Sequence, residues 1–308
     1  MPEHAASATP QSGLGAIAGD DGTFAIVAMD QRNTLRRMFA AAGRPADDDD
    51  LRAFKVDVTD ALSGGATGFL LDPEFGVPAV LDGGALHDDC GLLVAAEPPE
   101  RQQWNGEPRA ARDLARDAAW VAGLGGHALK FLVQLRPDRP RPAGAPDLVA
   151  EVLEVVRAVV EDCRVVGLPS VIECLVYRLP EEGPLGDEHR ADLIVESARL
   201  LDQVGPDLLK LEFPGDARGC KRIAQALSVP WAVLSAGVTF ERFSDALRIA
   251  CEQGGASGFI AGRAIWQEAV GMDRPARRTF LRETGRRRLD ACVEAIQGRA
   301  RPYWHTHG

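Results

Sequence analysis

Phe24-Ala25-Ile26-Val27-Ala28-Met29-Asp30-Gln31-Arg32-Asn33 is an unbroken apolar run succeeded at once by four polar residues. Such a run suits a parallel strand covered on both faces rather than an alternating strand with one wet face. The four residues after the run separate two architectures. A doubly wound open sheet favours a glycine-rich turn directly after its first strand. Asp30, Gln31, Arg32 and Asn33 stand there instead.

Working outward, comparable runs bounded by turn residues recur at 68–71, 92–96, 128–133, 170–176, 208–213, 232–234 and 257–260. Helical spacing fills several of the gaps: Leu51, Phe54, Val58 and Leu62; Leu148, Val152, Val155 and Val159; Ile194, Ala198 and Leu201; Phe243, Leu247 and Ile249. Strands alternating with helices imply right-handed crossovers and a parallel sheet, and eight such units close into a (β/α)8 TIM barrel. The reading is therefore a single α/β domain over 23–297, with an N-terminal extension at 1–22 and a C-terminal tail at 298–308. The acidic run at 47–50 is expected to open a helix, where the helix dipole favours negative charge. The proline-rich stretch at 136–146 reads as a loop.

Composition narrows the functional classes. A formal charge of −10 with arginines scattered along the chain argues against nucleic acid, which is held by clustered positive charge. No apolar run reaches membrane-span length and residues 1–19 lack a secretory pattern, so the expectation is a cytoplasmic protein without a membrane partner. The six cysteines and six histidines show no ligand spacing, which predicts reduced thiols and no metal site. The sequence leaves a homo-oligomer open.

Of 35 basic residues only Lys55, Lys130, Lys210 and Lys221 are lysine, so arginine serves wherever plain positive charge is enough. Lys130 and Lys210 interrupt apolar strand runs, where an ammonium is costly. A lysine can shed its proton and attack a carbonyl; a guanidinium cannot. Burial and a second nearby ammonium both favour the free amine, and two strand lysines at one barrel mouth would supply both. Asp30 and Glu173 stand at corresponding places on other strands, and barrel sites draw on several strand ends. The alternative for each group is a structural ion pair. Lys55, at helical spacing from Leu51 and Leu62, reads as structural, and Trp266 as packing.

After the last two strand runs come Ser235-Ala236-Gly237-Val238-Thr239 and Ala261-Gly262-Arg263-Ala264. Small residues let backbone amides approach an anion, barrels often hold phosphate at these two loops, and Arg263 would add a bidentate contact.

Together, Met29-Asp30-Gln31-Arg32, Phe54-Lys55-Val56, Asp72-Pro73-Glu74-Phe75-Gly76, Leu129-Lys130-Phe131, Leu209-Lys210-Leu211-Glu212, Ser235-Ala236-Gly237-Val238 and Gly262-Arg263-Ala264-Ile265-Trp266 resemble the class I tagatose-1,6-bisphosphate aldolase family, which includes sulfofructose-phosphate aldolases. The resemblance implies a (β/α)8 fold, no metal, no cofactor and a phosphorylated ketose as the small-molecule partner. It places the Schiff-base lysine at Lys210, the proton-transferring glutamate at Glu173, the first-strand aspartate at Asp30 and the second site lysine at Lys130. Gln31, Ser235, Gly237, Gly262 and Arg263 match substrate and phosphate contacts. Residues 72–78 look like the tagatose branch, whereas 38–43 and 256–259 look closer to the sulfofructose branch. The implied reaction is cleavage of a ketose 1,6-bisphosphate to dihydroxyacetone phosphate and glyceraldehyde 3-phosphate. Cleavage of 6-deoxy-6-sulfofructose 1-phosphate and a non-catalytic sugar-phosphate sensor are the alternatives.

Overall fold

The computed structural model describes residues 13–305. Eight parallel strands close into a barrel in chain order: β1 (Phe24–Met29), β2 (Gly68–Leu71), β3 (Gly91–Ala95), β4 (Ala128–Leu135), β5 (Ser170–Val176), β6 (Leu208–Glu212), β7 (Trp231–Leu234) and β8 (Gly258–Ala261). Three of these coincide with the apolar runs read from the sequence and the others differ by one or two residues at an end. Two helices matter to the site. α1 (Asn33–Ala41) comes directly after β1, and α2 (Asp48–Leu62) packs Leu51, Phe54, Lys55, Val58 and Leu62 inward. Asp47 caps α2 in a capping box with Asp50, and Asp48, Asp49 and Asp50 occupy its first turn, where the dipole favours them.

Side chains alternate across each strand, so the barrel has two cores. Ala25, Val27, Met29, Leu129 and Leu209 belong to the layer between strands and helices. Phe24, Ile26, Ala28, Leu70, Leu93, Ala95, Ala128, Val171, Leu208, Ala232 and Ile260 fill the barrel itself. The period of two then carries the inner wall upward to the next inward position on each strand: Asp30 above Ala28, Lys130 above Ala128, Glu173 above Val171, Lys210 above Leu208. Strand geometry alone thus aims the four ionisable groups at one point above an oily plug.

Some described residues of the two flanking segments pack on the barrel interior. Ile17, fully buried in a short helix at Gly13–Ile17, joins the interior cluster, and Leu14, Ala18 and Tyr303 pack against it. The Tyr303 N–H donates to Gly22 O at 2.9 Å, and its ring lies 5.8 Å from that of Phe24. The physical reason is the barrel's lower opening: without a cover, Phe24 and Ile26 would face water. Residues 1–12 and 306–308 of the two segments lie outside the described residues.

One element was not anticipated. Gln102–Trp104 and Glu107–Arg109 form an antiparallel hairpin whose turn residues, Asn105 and Gly106, both have positive φ (48° and 81°). It is locked in place by Arg139 from the proline-rich loop, which forks onto Glu107 at 2.8 and 3.0 Å, while the Tyr177 hydroxyl donates to the same carboxylate at 2.8 Å.

Barrel closure depends on Gly258. Its φ is +133°, and a Cβ there would overlap the Phe24 carbonyl of the adjoining strand. Gly258→Ala is expected to cost about 3 kcal/mol or more, through left-handed strain and backbone overlap together. Denaturant melts should show a lower midpoint with little change in slope.

Candidate active site

The C-terminal ends of the strands open into a cavity of about 400 Å³ whose wall includes Asp30, Gln31, Glu97, Lys130, Glu173, Lys210 and Arg263. At its base the Lys130 ammonium, fully buried, lies 2.8 Å from each of three carboxylates: Asp30 Oδ2, Glu97 Oε1 and Glu173 Oε2. Glu173 Oε2 also accepts a hydrogen bond from Lys210 Nζ at 2.9 Å. Register explains the last contact, because Glu173 and Lys210 are paired residues on neighbouring strands.

This arrangement separates the roles of the two strand lysines. Burial pulls the Lys130 ammonium toward deprotonation, but Asp30, Glu173 and Glu97 outweigh it and hold its pKa well above the ordinary lysine value. Lys130 is therefore a fixed cation. Burial likewise works to raise the Asp30 carboxyl, yet Lys130 first and Lys210 second bring it well below the usual carboxylate range. The Glu173 carboxyl is lowered by the same two lysines against burial and against Asp30. From the sequence, Lys130 is expected either to act as a second ammonium beside Lys210 or to be held in an ion pair. In the structure three carboxylates surround Lys130, and Glu173 is the carboxylate that Lys210 contacts among the described residues.

Glu97 was missed by the sequence reading. It stands just past the third strand as Asp30 stands just past the first, and besides Lys130 it takes the Leu132 N–H at 3.2 Å. Arg32, quoted only within a motif, is buried and bridges this region: it donates to Glu97 O at 3.2 Å and to Glu74 Oε1 at 3.4 Å. Gln31 donates to Asp30 Oδ1 at 3.2 Å, while its own Oε1 is buried without a hydrogen-bond partner.

The loops after β7 and β8 meet. Ala236 and Gly237 both have positive φ (49° and 78°), and Val238 N–H closes the turn onto Ser235 O at 3.0 Å. An alanine in the left-handed region carries about 1–2 kcal/mol of strain. Gly237 lies flat against the Arg263 guanidinium, where a Cβ would come within 2.8 Å of Nη1. No ion pair or hydrogen bond engages Arg263 among the described residues, in a chain that gives most of its arginines a carboxylate. Ser235, Gly237 and Gly262 are not part of the cavity wall itself. Gly262 instead permits close packing on Ala28, whose carbonyl also accepts from Trp266 Nε1 at 3.1 Å. Trp266 is fully buried, as its packing role predicts.

Comparison with known proteins gives a consistent picture. The sequence profile described as DeoC/LacD family aldolase matches residues 24–268. A tagatose 1,6-diphosphate aldolase of Listeria innocua is 28% identical, the alignment covering 96% of this chain and 94% of that one. One from Staphylococcus aureus is 27% identical, with 92% and 94% covered. Among solved structures, a Schiff base forming fructose-1,6-bisphosphate aldolase superposes with a TM-score of 0.60 at 18% identity, covering 92% of this chain and 98% of the other. The fructose-bisphosphate aldolase of Plasmodium falciparum gives a TM-score of 0.68 at 16% identity, with 90% and 91% covered. These two share the barrel fold. No helix among the described residues is long and apolar enough to cross a membrane.

Proposed function

The chain belongs to the DeoC/LacD aldolase family, and within it we propose a class I enzyme that cleaves a ketose 1,6-bisphosphate of the tagatose type through a Schiff base on Lys210. The observation that carries this reading is the shared oxygen: Glu173 Oε2 sits 2.9 Å from the Lys210 amine, on the side also held by Lys130. Lys210 passes a proton to Glu173 and attacks carbon 2 of the open-chain sugar. Glu173 returns that proton to the carbinolamine hydroxyl, which leaves as water and gives an iminium. Asp30 or Glu173 takes the proton of the carbon 4 hydroxyl as the bond between carbons 3 and 4 breaks, its electron pair flowing into the iminium. Glyceraldehyde 3-phosphate departs. The enamine is then protonated at carbon 3 and hydrolysed to dihydroxyacetone phosphate, freeing the amine.

The carbon 1 phosphate is assigned to the loops after β7 and β8, where the unpaired Arg263 lies. Arg263→Ala is expected to remove a charge-assisted contact of about 1.5–3 kcal/mol, raising KM roughly 10- to 100-fold with a smaller change in kcat. Steady-state cleavage rates across a substrate series measure both.

The bisphosphate is preferred over the sulfosugar because the similar Listeria innocua and Staphylococcus aureus proteins are tagatose 1,6-diphosphate aldolases. Residues 256–258 lie at the barrel floor, where Ser257 bonds the backbones of Phe24 and Trp231, and residues 38–43 close the far end of α1. In the tagatose-like segment Glu74 holds the cavity-lining Arg32. A coupled assay comparing tagatose 1,6-bisphosphate, fructose 1,6-bisphosphate and 6-deoxy-6-sulfofructose 1-phosphate, with a chelator present, tests the substrate and metal independence together. Preference for the sulfosugar overturns the substrate, loss of activity to the chelator overturns the class, and no cleavage of any of them favours a sensor. The reading takes the enzyme to be cytoplasmic, with no membrane or nucleic acid partner.

A further inference from the structure

Lys55 is the third buried lysine, and the proposed mechanism leaves it without a task. It projects from the apolar face of α2 and is wholly shielded from solvent, as is its partner Asp72, whose Oδ1 lies 2.6 Å from Nζ. The ammonium donates hydrogen bonds to Met29 O at 2.7 Å and Gln31 O at 2.8 Å. These carbonyls flank Asp30 on either side. The place is significant because β1 pairs with β8 only as far as Val27 and with β2 only as far as Met29. Beyond that point no ladder holds the chain, yet the next residues carry Asp30 and Gln31 into the cavity.

A buried ion pair is a poor stabiliser, since well-packed apolar residues of similar volume often serve as well or better. Stability by itself therefore gives no reason for a lysine here, nor for both of its hydrogen bonds going to those two carbonyls. We infer that Lys55, seated on Asp72, is a positioning residue that fixes the strand end on which Asp30 and Gln31 stand. Asp72 is itself held, accepting from the Phe75 and Glu74 N–H groups at 2.8 and 3.2 Å, so the anchor is rigid at both ends. Lys210 stands on β6, far around the barrel from this device, and its nucleophilic chemistry does not need it.

The inference rests on the aldolase reading, and the test keeps the two apart. In Lys55→Met/Asp72→Leu the charges leave together and apolar packing replaces them, while the carbonyls of Met29 and Gln31 lose their donor. The full-length variant is assayed for borohydride capture of dihydroxyacetone phosphate, and for kcat and KM in ketose bisphosphate cleavage. Capture is expected to persist and KM to rise by about tenfold at most through Gln31, while kcat falls about 100-fold, the scale of an ångström-sized misplacement. A kcat within about threefold of the wild type overturns the inference. Should this variant not fold, Lys55→Gln/Asp72→Asn repeats the comparison; failure of both to fold assigns Lys55 to stability and also overturns it. A wild-type protein that neither captures nor cleaves removes the aldolase reading itself, whereas an active wild type with an unimpaired double variant removes this inference alone.

Discussion

Lys210→Arg is expected to fold normally and to lose turnover by about 10⁴-fold or more, the scale seen when a covalent nucleophile is removed from a group acting as a unit. The guanidinium keeps the positive charge beside Glu173 and fills similar space, so the barrel has no reason to reorganise. What it lacks is a nitrogen that can give up a proton and attack carbon. Far-ultraviolet circular dichroism and thermal melts check the first half of the expectation, and cleavage assays the second. Substantial residual turnover would place the Schiff base elsewhere.

The second large effect belongs to Lys130. Lys130→Met leaves Asp30, Glu97 and Glu173 buried without the cation on which they converge. Removing one member of such a cluster typically costs about 3–5 kcal/mol. Activity should fall as well, by about 10²- to 10⁴-fold, since both carboxylates proposed to carry protons lose their placement. The pH dependence has a definite sign. In the wild type, Asp30 and Glu173 have folded-state values below their unfolded ones. Their contribution to stability is therefore present above the unfolded carboxylate range, near 4, and is lost only as pH falls further through the folded values. In the variant, burial and mutual repulsion act with less opposition and push the folded values up. Its stability relative to the wild type should then rise as pH is lowered from 8 toward 5. Thermal melts across that interval distinguish the two, and a variant that tracks the wild type would show that Lys130 does not hold the cluster.

Much of this was legible in the residues. The strand runs are long, apolar and sharply bounded, because both faces of a barrel strand are covered, and the parity of positions 28 and 30, 128 and 130, or 208 and 210 places the charged groups on the inner wall. Glu97 carried the same signal as Asp30, a carboxylate just past an apolar run, but its neighbours Pro98 and Pro99 make the stretch look like ordinary loop. The hairpin also had a mark in Asn105-Gly106, a pair suited to the positive φ angles of a tight turn. Its flanks are too short and polar to read as strands, and its stability comes from Arg139, more than thirty residues away. The same is true of Ile17 and Tyr303, whose burial depends on the barrel they close. Partnership between distant segments was the part that local pattern could not supply: one lysine serving three carboxylates, another serving two carbonyls and an aspartate.

The most direct measurement is reduction with borohydride in the presence of dihydroxyacetone phosphate, with peptide mass mapping of the product. The account predicts one reduced adduct, on the peptide containing Lys210, absent from Lys210→Arg and unaffected by chelator. An adduct on Lys130 or Lys55, or no adduct from an active enzyme, would contradict it.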